Sequence, residues 1–368
     1  MFLSQLEKSN TLDIRSEPGN AGKDRCFMYS FKNDYSEGAH PLILDALLEN
    51  NRSQQQGYGD DEYSVRAGEL IRTKLGNPHS AVHLVSGGTQ ANLVMISSTL
   101  RPHESVISAV SGHIDRHETG AIEATGHRIE TISTHDGKLS PELIADFLLQ
   151  VEEVHMCRPR MVYISNSTEL GTHYMKDELL ALRAYCKEND LYLYMDGARL
   201  ASGLDAGDIT FADLGRYTDA FYIGGTKNGA LLGEAIVINN PALQEYFSYN
   251  LKMRGALLAK GRLLGIQFAT LFTGDLYFEI GAHMNRTAAM LTAAFAQLGY
   301  SFLTPSKTNQ IFPILPEKVI DGLRKNYDFY TWQKTDRHHA AIRLVTSWAT
   351  EEAVIQLFIE DLDRLTKR

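Results

Sequence analysis

The chain has 368 residues, of which 43% are apolar and 22% charged, and it carries a formal net charge of −9. That length exceeds a comfortable single core and predicts two domains in an ordinary soluble globular protein. The acidic balance excludes nucleic acid as a partner, which calls for a clustered basic face, and no apolar run approaches the length that spans a membrane.

Residues 1–25 are polar, with Glu7, Lys8, Asp13, Arg15 and Glu17, and contain no apolar h-region. They read as an N-terminal extension without a secretory leader. The three cysteines, Cys26, Cys157 and Cys186, are widely spaced and odd in number. A disulfide framework is not expected, and a reducing, cytoplasmic setting is. Apolar spacing predicts helices over 41–50 and 62–75, with the turn-rich Gln55-Gln56-Gly57-Tyr58-Gly59-Asp60-Asp61 between them. Short apolar runs then alternate with amphipathic segments. The runs are 81–85, 105–110, 161–165, 191–195 and 220–223; the amphipathic segments are 90–100, 141–151 and 177–187. Such alternation predicts an α/β fold with a mainly parallel sheet covered by helices. Residues 246–278 read as one long helical segment. A smaller α/β unit follows, with helices 285–298, 316–326 and 351–365 and strands 310–315 and 341–346.

Five stations carry chemistry. Ser86-Gly87-Gly88-Thr89-Gln90-Ala91-Asn92 joins a strand to a helix, where glycines admit an anion to free N–H groups. It lacks the Walker lysine and the G-x-G-x-x-G spacing, and a plain strand–helix turn looks the same. In Ser111-Gly112-His113-Ile114-Asp115-Arg116-His117-Glu118 a strand feeds a His-rich loop. An imidazole there stacks on a planar cofactor or moves a proton, although any single histidine is more often a surface one. His113 is preferred to His117 because it follows the strand end sooner. Asp196 closes a strand in Tyr194-Met195-Asp196-Gly197-Ala198-Arg199, and the fork of Arg199 suits a carboxylate, unless the two form a structural ion pair. Lys227 follows the buried strand and turn Phe221-Tyr222-Ile223-Gly224-Gly225-Thr226, where burial would free its amine. Arg343, inside an apolar strand, needs either a buried acid or an anionic ligand. A strand-end lysine and a strand-end carboxylate, with a phosphate-type turn upstream, are what a pyridoxal-phosphate enzyme needs. The lysine forms the Schiff base with the cofactor aldehyde, and the carboxylate keeps the pyridine nitrogen protonated.

Taken together, from about Phe31 to the C-terminus, the chain resembles the L-threonine aldolase and aromatic amino acid β-eliminating lyase family. The matching pieces are Tyr58-Gly59-Asp60-Asp61, Gly88-Thr89-Gln90-Ala91-Asn92, His113 with Glu118, Asp196-Gly197-Ala198-Arg199, Lys227 and Arg343-Leu344-Val345-Thr346. The resemblance implies a fold-type-I, aspartate-aminotransferase-like architecture. Its divisions would be an extension over 1–30, a large domain binding pyridoxal 5'-phosphate over 31–260, and a small C-terminal domain over 261–368. It implies that Lys227 carries the cofactor, Asp196 meets the pyridine nitrogen and His113 stacks on the ring. Gly88, Thr89 and Thr226 would hold the phosphate, and Arg199 and Arg343 the substrate carboxylate. It also implies a homodimer or homotetramer with active sites at the subunit interface, reached by Tyr58 and by Lys252 and Lys260 of a neighbour. Two positions depart from the family pattern. Asn33, in Lys32-Asn33-Asp34, stands where the family has a serine that helps hold the carboxylate. Glu169, in Ser167-Thr168-Glu169-Leu170-Gly171, stands where it has a histidine near the β-hydroxyl. The expected reaction is cleavage of L-threonine, L-allo-threonine or a related β-hydroxy-α-amino acid to glycine and an aldehyde. Candidate bases are His113, Glu169, Glu118 or a water they position, with His113 or its water favoured. The alternatives are β-elimination or transamination on the same cofactor. No metal-ligand spacing is apparent.

Overall fold

The computed structural model describes residues 28–151 and 154–367; the polar stretch 1–25 and Cys26 lie outside the described residues. Tyr29–Ser30 forms β1. Seven strands follow: β2 (Ala81–Val85), β3 (Glu104–Ala109), β4 (Arg128–Ile132), β5 (Arg158–Ser165), β6 (Tyr192–Asp196), β7 (Ala220–Gly224) and β8 (Glu234–Ile238). They make one sheet in the order β2-β8-β7-β6-β5-β3-β4. Every pairing is parallel except those of β8, which runs antiparallel to both β2 and β7. The C-terminal ends of β2, β3, β5, β6 and β7 therefore share one edge with the N-terminal end of β8, and that edge carries the site.

Burial explains the pattern. β3, β7 and β8 are buried at every position, as expected of strands covered on both faces. Each fully buried Val, Leu, Ile or Phe contributes about 1.5–3 kcal/mol. Two cores result. One face packs Ile107, Val162, Met195, Phe221 and Val237 with the helices Glu62–Leu75, Lys176–Glu188 and Arg262–Phe272. The other packs Val106, Tyr163, Tyr194, Tyr222 and Ile236 with the helix Gly88–Thr99. Local signals set the boundaries. In Glu62–Leu75 the Asp61 carboxylate accepts the Ser64 N–H at 2.8 Å, and Gly76 ends the helix at φ 67°.

The C-terminal part carries β9 (Gln310–Ile311), β10 (Ile314–Pro316), β11 (Tyr327–Asp328), β12 (Tyr330–Lys334) and β13 (His339–Val345). β13 pairs antiparallel with β9, β10 and β12, and β1 pairs parallel with β11. Their core includes Phe31, Leu291, Phe295, Ile342 and Phe358. Tyr29 and Ser30, read from the sequence as extension, thus join this unit, while Phe268, Phe272 and Tyr277 belong to a core of the large sheet.

Several elements correct the expectations. Residues 246–278 are not one helix but Phe247–Met253, Arg262–Phe272 and the start of Leu276–Gln297. The breaks carry Gly255 at φ 69° and Gly274 at φ 67°, conformations a helix cannot contain. The expected helix 285–298 is the second half of Leu276–Gln297. The expected strand 310–315 divides at Phe312-Pro313, since Pro313 has no N–H to give a ladder. β4, β8 and β12 were not expected. Among the described residues no helix is long and apolar enough to cross a membrane, and no cluster of His, Cys, Asp and Glu is arranged to hold a metal ion.

Candidate active site

Two strand-end turns lie back to back. The turn after β6 begins with Asp196, and the turn after β7 leads to Lys227. The Gly224 N–H donates to Gly197 O at 2.9 Å. A Cβ on Gly197 would lie 2.0 Å from Tyr222 O, and one on Gly224 would lie 2.2 Å from Ala198 O. Only glycine at both places lets the turns touch and brings the carboxylate and the amine to one edge.

Asp196 is buried and surrounded by donors. The Tyr163 and Tyr222 hydroxyls donate to it at 2.5 Å each, the Ala198 N–H at 2.9 Å and Asn92 Nδ2 at 3.2 Å. Burial would raise its pKa, but the charge of His113 and these bonds hold it below the usual carboxylate range. Asn92 Nδ2 also donates to Glu118 Oε1 at 2.7 Å, which meets His113 Nδ1 at 2.9 Å. A polar chain, His113–Glu118–Asn92–Asp196, thus links the His-rich loop to the strand-end aspartate. Glu118 Oε2 is buried without a partner.

Among the described residues Lys227 makes no hydrogen bond or ion pair. Its pKa is lowered by burial and then by Arg199, against Asp34, Asp196 and Glu234. A buried, partnerless amine with a lowered pKa is a nucleophile in waiting. Glu234 begins β8 opposite Gly224 and accepts the Gly225 N–H at 2.7 Å; burial pushes its carboxyl up to about 8. The Thr226 hydroxyl accepts the Gly233 N–H at 3.0 Å.

Arg199 is gripped by Asp34, with Nε at 2.6 Å and Nη2 at 2.9 Å from its two oxygens. Asn309 Nδ2 adds a donor to Asp34 at 2.9 Å. Burial would raise the Asp34 pKa, yet Arg199 and Lys227 hold it low; Arg199 is held high in turn, against its own burial. Arg343 differs. Its Nε is buried without a partner, and its guanidinium lies 5.4 Å from the centre of the Trp332 ring. Burial, then Arg199, pushes its pKa down to about 10. A half-buried guanidinium without an acid is built to receive an anion.

Lys227, Arg199, Arg343, His113 and Glu169 line one cavity of about 400 Å³, with His117, Tyr35, Gln310, Tyr330, Thr331 and Trp332. Glu169 Oε1 accepts the Ser165 hydroxyl at 3.0 Å and the His113 N–H at 3.1 Å; burial, then Asp196, raises its pKa. Asp196 does not line it but is joined to His113 through the polar chain. Gly88 and Thr89 open the helix Gly88–Thr99 beside β7, a Gly88 Cβ falling 3.0 Å from the Tyr222 hydroxyl.

Other expected residues lie apart within this chain. Asn33 turns its side chain back to accept from the Tyr35 N–H and the Ser36 hydroxyl, both at 3.0 Å, and does not line the cavity. Tyr58 lines a separate cavity of about 260 Å³ with Lys252 Nζ 4.5 Å over its ring, and Lys260 is exposed. The sequence reading missed the roles of Asp34, Asn92, Glu234 and the cavity wall of β12. Asp34 had a signal, since a buried arginine needs an acid. The others pair across long sequence separations that spacing does not show.

The beta-eliminating lyase family model matches residues 41–317. A low specificity L-threonine aldolase of a Pseudomonas species is 33% identical over 338 residues, 90% of this chain and 96% of that protein. The solved Leishmania major threonine aldolase superposes with a TM-score of 0.91 at 49% identity, covering 92% of this chain and 99% of that one. A Thermus thermophilus aspartate aminotransferase superposes at 0.65 with 14% identity, which shows a shared fold alone.

Proposed function

The chain belongs to the beta-eliminating lyase family, and on that premise we propose that it is a pyridoxal-phosphate-dependent aldehyde-lyase. Its substrate would be L-threonine, L-allo-threonine or a related β-hydroxy-α-amino acid, and its products glycine and an aldehyde. The observation that carries this reading is the pair of interlocked turns, which presents an ionised Asp196 and a partnerless Lys227 amine at one edge. These groups fit the cofactor. When bound, pyridoxal phosphate supplies an aldehyde for amines and a protonated ring that stabilises the electron pair left as a bond to Cα breaks.

In this reading burial disfavours the ammonium form of Lys227, and its amine would be the group that meets the cofactor aldehyde. Asp196 would accept the ring N–H, its ionised form favoured by the charge of His113 and by its tyrosine donors. Gly88, Thr89 and Thr226 would hold the phosphate. The His113 ring, steered by Glu118 through Nδ1, would stack on the cofactor. Arg343 takes the substrate carboxylate and so orients the Cα–Cβ bond. Arg199, with Nε and Nη2 on Asp34, adds charge to that end of the cavity and fixes Asp34 near Lys227. The large sheet with the helices packed on it, Arg262–Phe272 among them, would serve as the cofactor-binding unit, and Arg343 would be the C-terminal unit's contribution to the cavity.

The protein works in the cytoplasm as a homodimer or homotetramer, with Tyr58, Lys252 and Lys260 reaching a neighbour's site. Exposed Tyr58, Tyr246, Tyr249 and Met253 support that reading, and a monomer by sedimentation would contradict it. Lys227→Ala tests the site itself. It should remove the visible cofactor band and lower turnover by on the order of 10³-fold or more; near-normal turnover would overturn the assignment.

A further inference from the structure

Cleavage of a β-hydroxy amino acid needs a group to take the hydroxyl proton, and the cavity wall offers few. His113 lines it, but with Nδ1 on Glu118 at 2.9 Å its ring is the one that the reading above gives to the cofactor face. Glu169 already accepts two hydrogen bonds, from the Ser165 hydroxyl and the His113 N–H, on one oxygen. Burial also favours its protonated form. Tyr35 and Tyr330 offer phenol hydroxyls and no ring nitrogen. His117 is different. It faces the same cavity as Lys227 and Arg343, and among the described residues its ring nitrogens make no hydrogen bond or ion pair. Its one ring neighbour is His113, centroid to centroid 5.5 Å.

Resting on the aldehyde-lyase reading above, we propose that His117, rather than His113, is the catalytic base that receives the substrate's β-hydroxyl proton. The step balances. The O–H bond breaks as its proton passes to an imidazole nitrogen, and the oxygen's electron pair forms the C=O of the departing aldehyde. The Cα–Cβ pair remains on Cα, where a proton from solvent adds to give glycine, and the imidazolium returns its proton to solvent. Charge supports the assignment. Burial comes first, followed by His113, Arg343, Lys227 and Arg116, and together they lower the His117 pKa, so the imidazole is a neutral acceptor at pH 7. Among the described residues no carboxylate is paired with its ring. Arg343 on the same wall would hold the carboxylate end of the substrate while His117 meets its β-substituent.

His117→Phe keeps a ring and removes the acceptor. The holoenzyme and this variant are compared in two reactions: aldehyde release from L-threonine and L-phenylserine, and exchange of the glycine α-proton into D₂O followed by NMR. The second involves no β-hydroxyl. We expect aldehyde release to fall about 10²–10⁴-fold, glycine exchange to stay within about threefold, the acid limb of kcat/KM to disappear, and added imidazole to restore part of the rate. Aldehyde release within about threefold of wild type with the acid limb intact would overturn the proposal. Equal loss of both reactions would also overturn it, since His117 would then serve the cofactor site as a whole. Wild-type enzyme that exchanges glycine but releases no aldehyde would instead overturn the lyase reading on which the proposal stands.

Discussion

At the scale of single residues, the two arginines illustrate how one residue type takes two roles. Arg199 lies against Asp34 in a bidentate pair, whereas Arg343 has a buried Nε and no acid. Arg343→Ala should therefore raise the substrate KM by on the order of 30-fold or more, equal to about 2 kcal/mol, with a smaller effect on kcat. Steady-state kinetics check it, and Arg343→Lys should recover only part, since an ammonium lacks the planar fork. Asp34→Asn should act on stability. Removing one member of a buried pair typically costs about 3–5 kcal/mol, measurable by urea unfolding. The pH dependence has a definite sign. The folded-state pKa of Asp34 is lowered, so its contribution is present above the unfolded value and is lost as pH falls through the folded one. The variant should consequently lose stability less steeply than wild type on acidification below about pH 5. Sequence alone named Lys227 and Asp196 because strand-end polar residues after apolar runs stand out, and Arg343 because a cation inside an apolar strand does. Asn92 and Glu234 did not, because their partners lie on other strands and loops.

At the scale of elements, the interlocked turns after β6 and β7 are the device that assembles the site. Gly224→Ala forces a Cβ within 2.2 Å of Ala198 O, a contact with backbone rather than with a yielding side chain. The two turns must separate. Thermal unfolding should show destabilisation, and cofactor content after gel filtration should fall well below stoichiometric; full retention of both would contradict this account of the glycines. The parallel strands were legible because burial on both faces leaves continuous apolar runs. β4 was not, since this edge strand carries Arg128 and Glu130 and reads as polar. β8 was missed because Gly229 and Gly233 surround its approach and its first residue is a glutamate. The long segment 246–278 looked continuous because helical periodicity survives a break when both pieces bury an apolar face.

At the scale of the whole molecule, the large sheet supplies Asp196 and Lys227, and the small antiparallel sheet supplies Arg343 and Trp332. The cavity between them has the dimensions of a cofactor and amino acid site, about 400 Å³. The sequence expects such a division from the change from alternating strands and helices to a shorter α/β unit. The placement of Phe31 and β1 in the small unit was not, because their pairing with residues near 327 spans most of the chain. The most direct test of the central claim is to supply the cofactor-loaded protein with L-threonine, L-allo-threonine and L-phenylserine and to quantify aldehyde and glycine together. The account predicts equimolar release of both, with the three rates ranking the substrates. Pyruvate with ammonia, a pyridoxamine form, or a cofactor spectrum that shifts without either product would contradict it.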